Sequence, residues 1–153
     1  MKLGFFGGSF NPPHKGHQYI IEYCSKEFDK FIVIPYSNSP DSTKKNPILF
    51  KHRYNMLQLQ FGNTNIEIDD YEANSNQTNF TYLTIQYLIQ NYNQYKICMI
   101  LGEDQLYNLS TWTNIDFILQ NVEIYCFKRK SKTKHLKLLI IIYTSAYLRR
   151  KYY

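Results

Sequence analysis

Two histidines three positions apart, His14 and His17, belong to a short segment that begins with Gly7 and Gly8 and contains two prolines. Imidazole nitrogens can donate hydrogen bonds to phosphate oxygens, and free backbone N–H groups at the start of a helix attract the same anion. The segment is neither GxGxxG nor GxxxxGKS/T, which removes the main support for a hydride-transfer cofactor and for a P-loop. We therefore interpret residues 7–17 as a phosphate-binding loop. The alternative is that one histidine caps a helix and the other lies on the surface.

The elements around this loop must place it at one end of a sheet. Residues 2–6 form a short apolar run that predicts a buried strand ending at the glycines, and residues 17–28 carry apolar side chains at helical spacing. Residues 31–35 predict a second buried strand that ends at a proline. Such a strand, helix and strand form a right-handed parallel unit in nearly all known cases. The loop would thus lie at the carboxyl end of the first strand, where ligands bind in such sheets.

The rest of the chain repeats this alternation of strands and helices. Further helices are predicted at residues 52–61, 80–91 and 115–120, and further strands at 66–69, 96–101, 122–127 and 138–143. The last of these is expected to be a parallel strand buried on both faces. Because no linker or internal repeat divides the chain, we expect a single α/β domain, residues 1–153, with an open, doubly wound parallel sheet.

Composition and charge exclude several classes of protein. With 44% hydrophobic and 20% charged residues in 153 positions, the chain can bury a core and is not a disordered tail. The net charge of +6 would suit nucleic acid, but nine Lys or Arg and no acid fall within residues 128–153. The preceding residues hold nine basic and twelve acidic side chains. Since the basic excess belongs to one end of the chain, nucleic-acid binding is the weaker interpretation.

Cysteine usage and the apolar runs indicate a cellular compartment. Cys24, Cys98 and Cys126 are widely separated, odd in number and without metal-ligand spacing, which predicts reduced core thiols. The longest aliphatic run, residues 138–142, is too short to span a membrane, and residues 1–8 do not form a signal peptide. We therefore expect a cytoplasmic protein without a membrane partner.

The loop and several later segments together resemble the HxGH nucleotidyltransferases, and among them the bacterial nicotinate mononucleotide adenylyltransferases. The loop GGSFNPPHKGH is similar to the family's glycine-glycine start and its HxGH end. Similar segments follow at residues 52–57 (HRYNML), 78–84 (TNFTYLT), 101–112 (LGEDQLYNLSTW) and 144–149 (TSAYLR). The resemblance extends almost to the end of the chain and is far more specific than one motif.

The resemblance implies a Rossmann-like nucleotidyltransferase that transfers AMP from ATP to nicotinate mononucleotide and releases pyrophosphate. His14 and His17 would contact the ATP phosphates and stabilise charge on the α-phosphoryl group while the phosphate of the mononucleotide attacks it. The family uses no enzyme nucleophile, so catalysis would consist mostly of alignment and charge stabilisation. Mg²⁺ would arrive with ATP, because the loop itself offers no carboxylate.

The same resemblance assigns the other site residues. Ser145 and Arg149 would hold the triphosphate from the far side, since a guanidinium group suits phosphate oxygens. The ATP-binding residues would be Gly7, Gly8, Ser9, Phe10, His14, His17, Gly102, Asp104, Ser145 and Arg149, and the mononucleotide would contact Asn11, Thr84 and Trp112. No protein side chain is expected to bind a metal.

Structural interpretations compete with several of these assignments. A lone tryptophan such as Trp112 is more often a core residue, Asp104 suits the amino end of a helix, and Arg149 suits a solvated basic end. For the whole chain, the alternatives are another HxGH transferase, such as a phosphopantetheine adenylyltransferase, and a nucleotide- or RNA-binding protein without turnover. The segment after residue 143 is short, about three helical turns. It therefore predicts either a homo-oligomer or a mobile end.

Overall fold

The chain folds around a six-stranded sheet. The computed structural model describes residues 1–37, 48–74, 79–128 and 139–143. Its strands are β1 (Lys2–Gly8), β2 (Lys30–Pro35), β3 (Glu67–Ile68), β4 (Lys96–Gly102), β5 (Glu123–Lys128) and β6 (Leu139–Tyr143). Their order across the sheet is β3-β2-β1-β4-β5-β6, so the strand that leads into the glycine-rich loop lies in the middle.

The first five strands are parallel, whereas the sixth is not. Strands β1 to β5 pair in parallel throughout, which confirms the α/β class and the doubly wound parallel sheet. Strand β6 runs antiparallel to β5, with Tyr143 opposite Ile124 and Leu139 opposite Lys128. The prediction that this strand is parallel is therefore wrong. Only residues 129–138 separate the two strands, and a parallel return needs a crossover of about a dozen residues or more.

The helices cover both faces of the sheet. They are α1 (Lys15–Cys24), α2 (Phe50–Phe61), α3 (Tyr71–Asn74), α4 (Thr81–Asn91), α5 (Glu103–Tyr107) and α6 (Ile115–Asn121), with a 3₁₀ turn at Leu109–Thr111. Buried side chains of α1 and α2 join one core cluster, and those of α4 and α6 join the other. This division into two layers on one sheet is what doubly wound connections produce.

Alternating side chains of each strand supply the two cores. In β1, Leu3 and Phe5 face the core under α4 and α6, and Phe6 faces the core under α1 and α2. The same alternation holds in β2, β4 and β5. Strands covered on both faces read as continuous apolar runs, which is why these strands could be found from the sequence.

Helix α1 differs most from its predicted boundaries. It begins at Lys15 and ends at Cys24, whereas residues 17–28 were expected to be helical. Phe28 is buried outside the helix, beside Gly4, where an added Cβ would lie only 2.6 Å from the Phe28 ring. Strand β1 therefore needs glycine at this position, because the aromatic ring occupies the space of a side chain.

The three cysteines are free and buried, which confirms their prediction as reduced core thiols. Burial raises the pKa of both the Cys24 and the Cys98 thiols, so neither is a reactive thiolate at neutral pH. Within the described part of the chain, no helix has the length and apolar character needed to cross a membrane.

Candidate active site

The candidate site lies where the chain changes direction across the sheet. From β1 the chain proceeds to β2 and β3 on one side, and it then returns to place β4 on the other side of β1. The carboxyl ends of β1 and β4 are Gly8 and Gly102, which were both predicted to bind ATP. In open α/β sheets the crevice between two such strand ends is the usual ligand site.

His14 and His17 cap the first turn of α1 reciprocally. The Nδ1 atom of His14 accepts hydrogen bonds from the backbone N–H groups of Gly16 at 3.1 Å and His17 at 3.4 Å. The Nδ1 atom of His17 accepts from the backbone N–H of His14 at 3.2 Å. The two rings are stacked, with centroids 3.7 Å apart. Both histidines thus take part in the cap, where the sequence alternative gave this role to only one of them.

The cap also decides which nitrogen of each ring carries hydrogen. Since both Nδ1 atoms accept hydrogen bonds, the neutral imidazoles of His14 and His17 must carry their proton on Nε2. Phe10 contacts His17 from the side, with centroids 4.9 Å apart. The loop therefore holds two N–H donors in fixed orientation at the amino end of a helix.

The ring of Phe10 packs against His17 and helps to hold this arrangement. The φ of Phe10, 46°, lies in the left-handed region, which is unfavourable for a residue with a side chain. Its ring is fully buried and meets Phe6 edge to face, with centroids 5.5 Å apart. The burial offsets the cost of the backbone conformation. Any contact of this predicted ATP-binding residue with a ligand would have to come from its backbone.

Arg53 joins the loop to the segments beside it. Its guanidinium group, with the residue only 3% exposed, donates to four main-chain carbonyls. The acceptors are Ser9 at 2.6 Å, Tyr36 at 2.8 Å, Ile48 at 2.8 Å and Ser37 at 3.2 Å. Burial lowers the pKa of Arg53, yet a guanidinium stays charged at any physiological pH. None of the ion pairs found among the described residues includes this cation.

Asn11 and Gly7 hold the same region in place. The Oδ1 atom of Asn11, a predicted substrate-binding residue, accepts from the backbone N–H of Ile48 at 2.8 Å. An added Cβ at Gly7 would lie 3.0 Å from the phenol ring of Tyr36, so the loop passes too close to that ring for a larger residue. The backbone N–H of Tyr36 donates to Gly8 at 2.8 Å. These contacts tie the end of β1 to the end of β2.

The carboxyl end of β4 presents Gly102 and Asp104 together. An added Cβ at Gly102 would lie 2.6 Å from Oδ1 of Asp104, so the carboxylate folds back over the glycine. Asp104 is exposed and lies in the first turn of α5, as the structural alternative expected, and it accepts from the Gln105 side chain at 3.3 Å. Among the described residues, no group of three or more His, Cys, Asp or Glu is arranged to hold a metal ion.

Two of the three predicted mononucleotide residues, Thr84 and Trp112, lie on the face covered by α4 and α6, whereas Asn11 lies in the loop after β1. Thr84 is 3% exposed, and its hydroxyl donates to Oε1 of Glu72 at 2.8 Å. The side-chain amide of Asn79 donates to the carbonyl of Glu72 at 3.1 Å. Trp112 is half-buried against the core of this face, so its ring is neither fully buried nor detached from the core.

The structure brings together part of the predicted set. The loop residues 7–17 and the pair at the end of β4 share one edge of the sheet at adjacent strands. Ser145 and Arg149 lie outside the described residues, as do residues 38–47 and 75–78. Their assignments remain predictions.

Two buried charged residues were not predicted as part of the site. Arg53 belongs to the HRYNML segment, and Glu72 precedes the TNFTYLT segment. A charged residue at a helix position that should face the core is the signal that marks Arg53, since residues 53, 57 and 61 are the buried stripe of α2. No comparable pattern marks Glu72, whose partners come from distant positions.

Comparison with known proteins gives one family. The family model of cytidylyltransferase-like proteins matches residues 5–150. A Fusobacterium nucleatum protein named as a probable nicotinate-nucleotide adenylyltransferase is 35% identical over 134 residues, which cover 85% of this chain and 69% of that protein. An Aliarcobacter butzleri protein of the same name is 34% identical over 143 residues, covering 90% of this chain and 77% of the relative.

Solved structures share the fold. The nicotinic acid mononucleotide adenylyltransferase of Plasmodium falciparum, complexed with NaAD, aligns with a TM-score of 0.72 at 21% identity. The alignment covers 97% of this chain and 70% of that one. A second structure of the same enzyme, complexed with APC, aligns with a TM-score of 0.70 at 20% identity.

Proposed function

The chain belongs to the cytidylyltransferase-like family and, within it, to the nicotinate-nucleotide adenylyltransferases, and from that premise we propose that it transfers AMP from ATP to nicotinate mononucleotide. The observation that carries the proposal is the likeness to proteins of that name over most of the chain. The reciprocal histidine cap at the carboxyl end of β1 supplies the chemistry that such a transfer requires.

The reaction is a displacement at the α-phosphorus of ATP. A phosphate oxygen of the mononucleotide forms a bond to that phosphorus, and the bond to the bridging oxygen of the β-phosphate breaks. Pyrophosphate leaves with that oxygen and its electron pair, and the product is the deamido dinucleotide. Two polyanions must be brought together, so alignment and charge stabilisation account for most of the rate enhancement.

His14 and His17 supply the hydrogen-bond donors. Their Nδ1 atoms are occupied by the helix cap, and we assign the Nε2–H groups to the phosphates as donors held in place before ATP binds. A donor fixed in advance is worth about a hundredfold or more in rate, because it needs no reorganisation when charge develops. The amino end of α1 adds the positive end of the helix dipole, which favours an anion.

Arg53 contributes charge without touching the substrates. Its partners are neutral carbonyls, so its charge is not cancelled by a side chain of the described part of the molecule. This cation lies directly behind Ser9 of the loop and makes the region more favourable for a triphosphate. Mg²⁺ enters as part of the MgATP substrate, in keeping with the absence of a carboxylate between Gly7 and His17.

The mononucleotide half of the site is proposed at Thr84 and Trp112. The half-buried indole of Trp112 offers an aromatic face for stacking against a pyridine ring. Thr84 forms part of the wall rather than a direct contact, because its hydroxyl is buried and donates to Glu72. Gly102 and Asp104 are proposed to hold the adenosine half, since the exposed carboxylate can accept hydrogen bonds from ribose hydroxyls.

An assay of dinucleotide formation tests the proposal. Purified protein with MgATP is offered nicotinate mononucleotide, nicotinamide mononucleotide or phosphopantetheine, and pyrophosphate release is measured. We expect the highest kcat/KM with nicotinate mononucleotide. Preference for phosphopantetheine would assign the chain to another transferase of the HxGH type, and absence of turnover with all three would favour a nucleotide-binding protein without activity.

A further inference from the structure

The buried carboxylate of Glu72 joins two segments that border the candidate site, yet it has no part in the reaction described above. Glu72 is 1% exposed, and its Oε1 accepts from the Thr84 hydroxyl at 2.8 Å. The backbone N–H of Ser37 faces the same carboxylate and lowers its pKa. One side chain therefore connects the first turn of α4 to the segment that follows β2.

The connection continues to the loop after β1. The carbonyl of Ser37 accepts from Arg53 at 3.2 Å, and Arg53 also donates to the carbonyl of Ser9 at 2.6 Å. Polar contacts thus run from Thr84 through Glu72, Ser37 and Arg53 to the phosphate-binding loop. Buried polar groups joined in this way hold the joined segments in one arrangement, since breaking any member leaves a buried partner unsatisfied.

We propose that Glu72 is a positioning residue for the mononucleotide pocket: its carboxylate fixes Thr84 and the first turn of α4 relative to the segment after β2. The inference rests on the proposed function, because it assigns the residue to the pocket for that substrate. Glu72 acts through Thr84 and Ser37, so loss of its carboxylate weakens binding of the mononucleotide and leaves ATP binding largely intact.

The charge state of Glu72 matters because the Thr84 hydroxyl donates to it and the N–H of Ser37 faces it. Burial raises the pKa of Glu72 to about 7, while the hydrogen bonds from Thr84 and Ser37 lower it and the charge of Asp69 raises it. The titratable groups that face it are Asp69, Tyr36 and Tyr71. Protonation converts one acceptor oxygen into an O–H group. The contact that Glu72 makes between α4 and the segment after β2 is then weakened.

The first test replaces Glu72 by Gln. Gln keeps an oxygen that can accept from the Thr84 hydroxyl but removes the charge that strengthens this hydrogen bond, so KM for nicotinate mononucleotide should rise up to about tenfold in E72Q at pH 8. The values of kcat and of KM for ATP should change little. Calorimetric titration with nicotinate mononucleotide gives the same comparison without turnover and should show a Kd weakened to the same extent.

Variants of Thr84 keep the proposal testable if E72Q folds poorly. Thr84→Val removes the hydroxyl and should weaken mononucleotide binding as E72Q does, whereas Thr84→Ser keeps the hydroxyl and should retain most of the affinity. Tyr87→Phe is the matched control, because it removes a hydrogen bond from the same helix to another carboxylate, that of Asp69. It should leave both substrate affinities unchanged.

A pH profile separates positioning from simple destabilisation. In the wild-type protein the Kd for nicotinate mononucleotide should rise as the pH falls from 8 to 6, and E72Q should lack the Glu72 component of that rise. Titration of the substrate phosphate is common to both proteins and cancels in the comparison. Equal Kd values in wild type and E72Q, or an equal change in ATP affinity, would overturn the inference.

The outcome for the proposed function remains distinguishable. Wild-type protein that binds nicotinate mononucleotide but forms no dinucleotide would contradict the proposed reaction, and the Kd comparison would still decide the role of Glu72. Wild-type protein that does not bind the mononucleotide at all would overturn both.

Discussion

The charged side chains at the two edges of the sheet have different kinds of partner. At the amino edge, the first residues of β1, β4 and β5 are Lys2, Lys96 and Glu123, and both lysines form ion pairs with the one carboxylate. Lys2 also donates to the phenol oxygen of Tyr125 at 2.9 Å. At the carboxyl edge, Arg53 is bonded to neutral carbonyls instead.

We interpret this difference as a separation between charges that stabilise the fold and charges that are proposed to attract a ligand. At the amino edge the carboxylate of Glu123 pairs with both lysines and offsets part of their charge. At the carboxyl edge the cation of Arg53 contacts the loop that carries the two imidazoles, and none of the ion pairs among the described residues includes it. A cluster of that kind attracts polyanions. The comparison predicts that substitutions at the carboxyl edge change activity, whereas those at the amino edge change only stability.

The largest effect is expected from Arg53→Met. The four carbonyls that the guanidinium serves would lose their donor, and buried acceptors without partners cost about 1–3 kcal/mol each. Water can reach some of them, so we expect the free energy of unfolding to fall by at least about 3 kcal/mol. Urea denaturation measures this loss, and the remaining folded protein should bind ATP more weakly.

Lys51→Met is the matched control, since Lys51 lies exposed on the same helix. Arg53→Lys should recover part of the stability, because an ammonium group can donate to some of the carbonyls but lacks the planar set of five donors of the guanidinium. Unchanged stability in Arg53→Met would show that the carbonyls find other donors and that the carboxyl edge does not depend on this cation.

His14 and His17 should give the next largest effect. Replacing either by Ala removes a fixed phosphate donor and should lower kcat by at least about a hundredfold. The reciprocal cap adds a consequence for stability that the sequence did not reveal. Loss of a cap costs about 1 kcal/mol, so both alanine variants should also melt at a lower temperature.

Two substitutions separate the cap from the chemistry. His14→Ser places a good capping residue at the same position, and His17→Gln keeps the acceptor that a capping box needs. Both should recover the melting temperature without recovering kcat. Lys15→Ala, an exposed neighbour in the loop, should keep both. Full activity in His17→Gln would show that His17 caps the helix and does not take part in the reaction.

Most of the fold could be predicted because it depends on local patterns. Strands covered on both faces are continuous apolar runs, and β1, β2, β4 and β5 were found within two residues of their ends. The direction of β6 was missed, because an apolar run indicates burial and carries no information on the direction of the neighbouring strand. The start of helix α2 was placed within two residues, but the burial of Arg53 in it was not predicted.

The candidate site was predicted only where one segment contains its parts. The histidine loop is contiguous, and its residues stay together in the fold. The partners of Arg53 lie up to 44 positions away in the chain, and those of Glu72 come from two other segments. Such contacts depend on the tertiary structure, so the sequence pattern could not distinguish these buried charges from ordinary surface residues.

The smallest effect is expected at the amino edge, from Glu123→Gln. Although partial burial alone would raise the pKa of Glu123, hydrogen bonds from Lys96 and Lys2 lower it to about 2, from an ordinary value of 4.5 in the unfolded chain. The ion pairs therefore stabilise the folded protein fully above pH 4.5, and this contribution is lost as the pH falls toward 2. Partly exposed pairs of this kind contribute about 1 kcal/mol or less.

Wild type should thus be slightly more stable than the Glu123→Gln variant at pH 7, and thermal melts between pH 4.5 and 2 should show that the difference in stability disappears. At pH 7.5 the two proteins should have the same kcat and KM. A large loss of activity in Glu123→Gln would show that the amino edge also serves the reaction, and the contrast between the two edges would then fail.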